Sequence, residues 1–325
     1  MNNLPKWHSK YIELISRGSM HHAYLFFGRE GIGKEVLINS ISNLILCENN
    51  KPVSCGKCQN CSLILSRNHP DLHTLSKEET KKNISISQVL DLKKRVYESS
   101  FLGKNKIISI PNLETMSRDA SDAILKILEE PPNNTYFLMS SNLIHLIPTT
   151  IRSRSSEIEI THPSVKECRD WLSESYTENL DLAIELSDNR PFFAKNLLDL
   201  NLLDLRSNFI KEISGIIKSG KDIINISDKW NKDLETLPLK IEWMSFILID
   251  AIKHQAVKEK AKVMSDSENI TRFLGEKSDI YKLHELLSQT NELWNLFSSD
   301  TNLRKEYQLQ SLFIAWEREL GISSL

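Results

Sequence analysis

The stretch HHAYLFFGREGIGKE at residues 21–35 decides how the rest of the chain is read. An apolar run ends on a glycine-rich turn. The turn leads into KEVLINSISNLILC (34–47), where Val36, Leu37, Ile41, Leu44 and Ile45 recur at helical spacing. A buried strand, a glycine loop and a helix in that order match the phosphate-binding pattern G-x-x-x-x-G-K-[ST], with one exception. Gly28, Gly31, Gly33 and Lys34 supply the glycines and the lysine, and are the candidate nucleotide-binding residues. Glu35 stands where a Ser or Thr hydroxyl would hold Mg²⁺. A carboxylate beside a triphosphate repels it unless a metal lies between them. Only weak ATP or ADP binding is therefore expected of the loop.

Outward from the loop, short apolar runs alternate with helical patterns. DLHTL (71–75), KIISI (106–110), TYFLMSS (135–141) and SSEIEI (155–160) read as further strands. SISQVLDLKKRVYES (85–99) reads as a helix capped at Ser85 or Ser87, and SRDASDAILKILEEPP (117–132) as a helix stopped by Pro131 and Pro132. Strands alternating with helices predict a parallel sheet covered on both faces, an α/β domain. Beyond about residue 162 only helical patterns remain. Two stripes, Leu283, Leu286, Leu287, Leu293 and Phe297, then Tyr307, Leu309, Leu312, Phe313 and Trp316, predict the core of an all-α bundle.

The 325 residues suffice for two or three domains. Lys and Arg (41) nearly balance Asp and Glu (43), a net charge of -2, so bulk charge does not make the chain a nucleic-acid binder. Met1–Lys10 is polar with no apolar run behind it, and no stretch approaches the roughly 18 apolar residues of a membrane span. A cytoplasmic protein with no membrane partner is expected. Cys47, Cys55, Cys58 and Cys61 cluster in CENNKPVSCGKCQNC (47–61); in a reducing compartment this points to a metal rather than disulfides. Four thiolates make a closed tetrahedral set, so structural zinc is the expected ligand; an iron–sulfur cluster uses the same donors. Cys168 stands alone and reads as a small buried residue.

Taken together, HHAYLFFGREGIGKE, the four-cysteine insert after the first helix, NHPDLHTL (68–75), SRDASDAILKILEEPP (117–132) and IPTTIRSRS (147–155) resemble the clamp-loader subunits of bacterial DNA polymerase III. That family belongs to the AAA+ proteins, and the likeness is strongest to its delta-prime members. It continues more weakly into TNLRKEYQLQSLFIAWEREL (301–320). The resemblance argues for zinc over an iron–sulfur cluster. It implies a RecA-like AAA+ domain at 1–162 with its cysteine insert at about 47–61, a small helical lid at 163–205, and a helical collar for oligomerisation at 206–325.

Matching KIISIPNLETMS (106–117) to the family puts Pro111 and Asn112 where an active member carries the Asp-Glu pair for magnesium and water. Pro111 offers no ligand and Asn112 no base; Glu114 would have to be redirected to replace them. In the lid segment SDNRPFFAKNLL (187–198), Phe192 falls where active members carry an arginine, and Arg190 lies two positions early. What remains is Ser153-Arg154-Ser155, similar to the family's S-R-C motif, whose arginine finger enters a neighbouring subunit's ATP site. The resemblance makes Arg154 the catalytic residue acting in trans, and leaves Arg152 to a surface ion pair.

The implied function is that of a non-hydrolysing delta-prime subunit. It is not an enzyme by itself but part of a complex with DNA-directed DNA polymerase (nucleotidyltransferase) activity. The implied partners are the motor (gamma/tau) and delta subunits, the sliding clamp indirectly or weakly, and primed DNA through the assembled complex, with the helix starting at Ser117-Arg118 as a candidate DNA contact. The alternative is an active gamma/tau-type AAA+ motor of the same loader, against which Glu35, Pro111 and Asn112 speak. A small-molecule kinase is disfavoured, because no second phosphate-binding arginine cluster is apparent.

Overall fold

The computed structural model describes residues 5–17, 20–49, 54–78, 81–102, 105–219, 223–258, 261, 263–298 and 305–319. Five strands, β1 (Ala23–Phe27), β2 (Leu72–Thr74), β3 (Lys106–Ile110), β4 (Thr135–Ser141) and β5 (Ser156–Glu159), form one sheet in the order β2-β3-β4-β1-β5, every pairing parallel. Around and between them run α1 (Ser9–Arg17), α2 (Lys34–Leu46), α3 (Gln59–Leu65), α4 (Ile86–Tyr97), α5 (Arg118–Glu129) and α6 (Thr149–Arg152). After β5 the elements are helical: α7 (Val165–Leu172), α8 (Leu180–Leu186), α9 (Pro191–Asp199), α10 (Leu202–Ser219), α11 (Ile223–Lys232), α12 (Leu237–Val257), α13 (Glu268–Lys277), α14 (Ile280–Ser298) and α15 (Lys305–Glu319).

Successive side chains of a strand face opposite ways, so a sheet covered on both sides needs apolar residues at every position. Strand β1 shows this. Ala23 and Leu25 join a core with Val89 and Leu92 of α4 and Ala120, Ile124 and Ile127 of α5. Tyr24 and Phe26 join the opposite core with Tyr11 and Ile15 of α1 and Leu37, Ile38 and Ile41 of α2. The helix starts are built locally. Ser85, not Ser87, caps α4, its N–H donating to Gln88 Oε1 at 3.0 Å, while Ser117 Oγ accepts from the Ala120 amide at 3.3 Å to start α5.

By compactness the chain divides into one unit of Met1–Leu180 with Ser187–Lys195 and another of Asp181–Leu186 with Asn196–Leu325. In the second, Phe209, Trp230, Trp243, Phe313 and Trp316 are buried together. Leu283, Leu286 and Leu293 of one expected stripe are buried, as are Leu309, Leu312, Phe313 and Trp316 of the other. Tyr307 departs from that stripe and is 60% exposed. It lies two residues before Leu309, about 200° around the helix from it, whereas 309, 312, 313 and 316 share one face. Residues 301–304 and 320 of the weaker C-terminal resemblance lie outside the described residues. Among the described residues no helix is long and apolar enough to cross a membrane.

Candidate functional site

In an open parallel sheet, ligands bind beyond the carboxyl ends of the strands where the strand order reverses. Here β1 lies between β4 and β5, its own crossover leading to the far edge at β2. The glycine loop leaves the end of β1, Asn142 follows β4 and Asn112 follows β3, so the sheet gathers the sequence-flagged residues at one edge. Gly33 begins α2 in a left-handed conformation (φ 95°, ψ 25°), which a residue with a Cβ adopts only under strain.

At this edge the chain satisfies its own groups. Lys34 is buried, and its ammonium donates to Gly28 O at 2.7 Å, Arg29 O at 2.8 Å and Asn142 Oδ1 at 2.6 Å. A lysine has three donors, and each has a partner within the chain. Burial pushes this ammonium down to about 8, against Glu114, Glu30 and Glu35, which favour the charge. Asn142 passes the network on: its Nδ2 donates to Asn112 Oδ1 at 3.1 Å and its backbone N–H to Glu114 Oε1 at 3.0 Å. Asn112 sits in the left-handed region (φ 53°) with its side chain held in that network, and Pro111 beside it offers no side-chain donor or acceptor. Glu114 is thus drawn to the edge as an acceptor for Asn142, a role invisible in the linear sequence.

The segment 187–195 closes over the loop. The Phe192 amide donates to Gly31 O at 2.9 Å, Arg29 pairs with Asp188 at 2.5 Å, and the Phe192 ring lies on Gly33: a Cβ added there would meet Phe192 Cε2 at 2.2 Å and His8 Cε1 at 2.8 Å. His8 stacks on Phe192, and Trp171 packs on Phe192 at 4.8 Å between centroids. Arg190 gives its Nε to Ser187 O at 2.7 Å and lies over the Phe193 ring. Glu35 is exposed in the first turn of α2, where the positive end of the helix dipole favours a carboxylate. The residues expected to cradle nucleotide are together, but their polar groups and glycine faces are engaged internally.

The cysteines also converge. Cys47 ends α2, Cys58 caps α3 and Cys61 lies within it, so two helix termini and the Gly56 turn bring all four sulfurs within 4.8 Å of one another. Cys55 and Cys61 sulfurs are already 4.0 Å apart. Zinc–thiolate bonds of about 2.3 Å set neighbouring sulfurs about 3.8 Å apart, so these donors fit a tetrahedral ion with small adjustments. Hydrogen bonds from the Lys57 and Cys58 amides pull the Cys55 thiol down to about 6, whereas burial pushes the Cys61 thiol up to about 12, so a metal would have to displace the proton there. The cluster therefore has the composition and spacing of a metal site. Cys168 is fully buried, its thiol pushed up to about 11 by burial.

Arg152 and Arg154 end differently. Arg152 grips Glu157 with two bonds, Nε to Oε1 at 2.8 Å and Nη2 to Oε2 at 3.1 Å. Arg154, 34% exposed, places Nη2 on Glu129 Oε1 at 2.5 Å and Nη1 on Thr150 O at 2.8 Å. The Glu129 contact bridges residues in separate motifs and had no signal in the sequence.

A family model described as DNA polymerase III, delta subunit, matches residues 4–164, and one described as DNA polymerase III, delta subunit, C terminal, matches residues 201–318. The chain is 29% identical to the DNA polymerase III subunit delta' of Buchnera aphidicola subsp. Schizaphis graminum, covering 98% of this chain and 97% of that protein. It is 26% identical to the subunit delta' of Escherichia coli K12, covering 96% and 93%. To the tau subunit of the same organism it is 30% identical over 50% of this chain and 25% of tau. Among solved structures, a DNA polymerase III gamma subunit-related protein from Thermotoga maritima superposes with a TM-score of 0.50 over 96% of this chain and 99% of that one, at 14% identity, a likeness of fold.

Proposed function

Since the chain belongs to the DNA polymerase III delta-subunit family, we propose that it works as the non-hydrolysing, delta-prime-type subunit of a clamp loader. In this reading residues 1–162, 163–205 and 206–325 act as the AAA+ domain, lid and collar. The collar assembles with motor (gamma/tau) and delta subunits in the cytoplasm, and the complex brings a sliding clamp to primed DNA. Zinc held by Cys47, Cys55, Cys58 and Cys61 fixes the insert after α2. Closed four-thiolate coordination leaves no position for a reacting water, so its task is structural.

The observation that carries the non-hydrolysing part is that Pro111 and Asn112 stand beyond β3 in place of the acids that position magnesium and water, with Asn112 held by Asn142. Lys34, which a working phosphate loop spends on β- and γ-phosphate oxygens, is buried and reaches Asn142 in the same network. Arg154 lies outside that closed edge. Its guanidinium is always charged and its planar fork suits phosphate oxygens, so it can serve an ATP site owned by a neighbour.

The test is Arg154→Ala in the complex reconstituted with motor and delta subunits. Loss of a finger costs on the order of 10³-fold or more at the site it serves. We expect clamp loading to fall by roughly tenfold or more while the complex still assembles; unchanged loading and ATPase refute the role. The alternative is an active gamma/tau-type motor, and magnesium-dependent phosphate release by the isolated chain would establish it; the likeness to tau spans half of this chain but a quarter of tau.

A further inference from the structure

The arginine offered to a neighbour is held at home. Both terminal nitrogens of Arg154 have partners in their own chain, Nη2 on Glu129 and Nη1 on Thr150 O and Ser153 Oγ, the latter at 3.4 Å. Nη1 has both of its N–H groups engaged and Nη2 one of its two, so the guanidinium can swing to a neighbour's phosphate oxygen only by loosening these contacts. The grip is divided: a single Glu129 oxygen takes one nitrogen, unlike the two-oxygen fork that Glu157 makes on Arg152. Divided contacts at a partly exposed site exchange more readily than a fork.

Glu129 is also badly placed for the stability of its own helix. It is the last residue of α5, followed by the acidic cap Glu130, where the helix dipole disfavours negative charge. Lys126 is the one basic residue of that last turn. Helix energetics therefore do not account for a carboxylate here, whereas a guanidinium 25 positions along the chain does.

The structure assigns Glu129 the role of resting counter-ion for Arg154, a parking site that the guanidinium leaves when the triphosphate of an adjacent subunit arrives. This rests on reading Arg154 as the arginine that acts in trans. The exchange swaps one carboxylate for a polyphosphate of higher charge. Product release returns the guanidinium to Glu129, so the arginine is reset without entering the neighbouring site unoccupied. Glu129 touches neither substrate nor reacting atoms and acts only through Arg154.

The experiment compares Glu129→Gln, Arg154→Ala and the double variant in the reconstituted complex, measuring kcat and KM for ATP. Removing the restraint helps ground and transition state alike. KM should therefore fall, by roughly two- to fivefold for an ion pair this exposed, with kcat unchanged. The double variant should match Arg154→Ala alone, because Glu129 has nothing left to hold. Glu129 is half-exposed, so the Gln variant should keep the wild-type melting temperature. An unchanged or raised KM, a lowered kcat, or an effect of Glu129→Gln that persists without Arg154 overturns the assignment. If Arg154→Ala alone leaves the ATPase intact, the trans-acting reading fails and the parking role falls with it. If Arg154→Ala impairs the ATPase but Glu129→Gln leaves KM where it was, only the parking role is lost.

Discussion

Gly33→Ala tests whether the glycine loop is packed shut by the chain's own aromatic rings. Two costs are readable from the geometry. At φ 95° a methyl-bearing residue is strained by about 1–2 kcal/mol. The new Cβ would also lie 2.2 Å from Phe192 Cε2, where ordinary contact begins near 3.4 Å, so the ring must retreat by about 1.2 Å. Trp171 at 4.8 Å and the stacked His8 limit that retreat, and overpacking of this kind costs about 1–3 kcal/mol. The sum is about 2–5 kcal/mol, less the few tenths that alanine recovers by stiffening the unfolded chain. In a unit of this size it should lower the melting temperature by about 10 °C. The assay is denaturant unfolding followed by tryptophan fluorescence, since Trp7 and Trp171 lie in the cluster. In a Phe192→Ala background the same substitution should cost less, its backbone part of about 1–2 kcal/mol together with what the His8 ring at 2.8 Å adds. A cost below 1 kcal/mol in the wild type, or equal costs in the two backgrounds, refutes the packed-loop geometry.

Three further outcomes are expected. Burial holds the His8 imidazole down at about 4, with its contact to Ile32 O opposing, so the unfolded chain takes up the proton first as pH falls. Stability present above pH 6.5 should be lost between 6.5 and about 4, by about 3 kcal/mol in total; denaturation at stepped pH of wild type and His8→Phe, whose difference must slope in that window, checks it. Cys58→Ser should abolish stoichiometric zinc in the purified protein, read by atomic emission, and raise hydrogen exchange through Cys55–Leu65 while leaving the sheet protected. Arg206 is 1% exposed, bonded to Asp266 at 2.7 Å and flanked by Phe209 and Trp243, so Arg206→Met should strand that carboxylate and cost about 3–5 kcal/mol, much of it recovered by adding Asp266→Leu.

The elements were legible where a period or a cap announced them. β1, β3 and β4 follow from unbroken apolar runs, α5 from Ser117 at its start and the proline pair after it, and the metal cluster from C-x-x-C-x-x-C. Helices α1 and α3 carry no such signal; α3 starts at Cys58, whose sulfur accepts from the Cys61 amide, a cap that the cysteine spacing alone does not announce. The second-unit stripes were right where residues fell at i, i+3, i+4 and i+7, and wrong at Tyr307, which breaks that spacing.

Taken alone, the order of residues determined the covered parallel sheet, the helical remainder, the cysteine cluster and the substitutions at Glu35, Pro111 and Asn112. These depend on contacts between near neighbours, and spacing along the chain records them directly. Only the tertiary structure decided that Lys34 bonds to Asn142, 108 positions away, that Phe192 lies on Gly33, and that Arg154 rests on Glu129. Such contacts join side chains from separate elements whose distance in sequence carries no period. They arise when the sheet order sets the ends of β1, β3 and β4 side by side, and close packing then gives each buried polar group a partner.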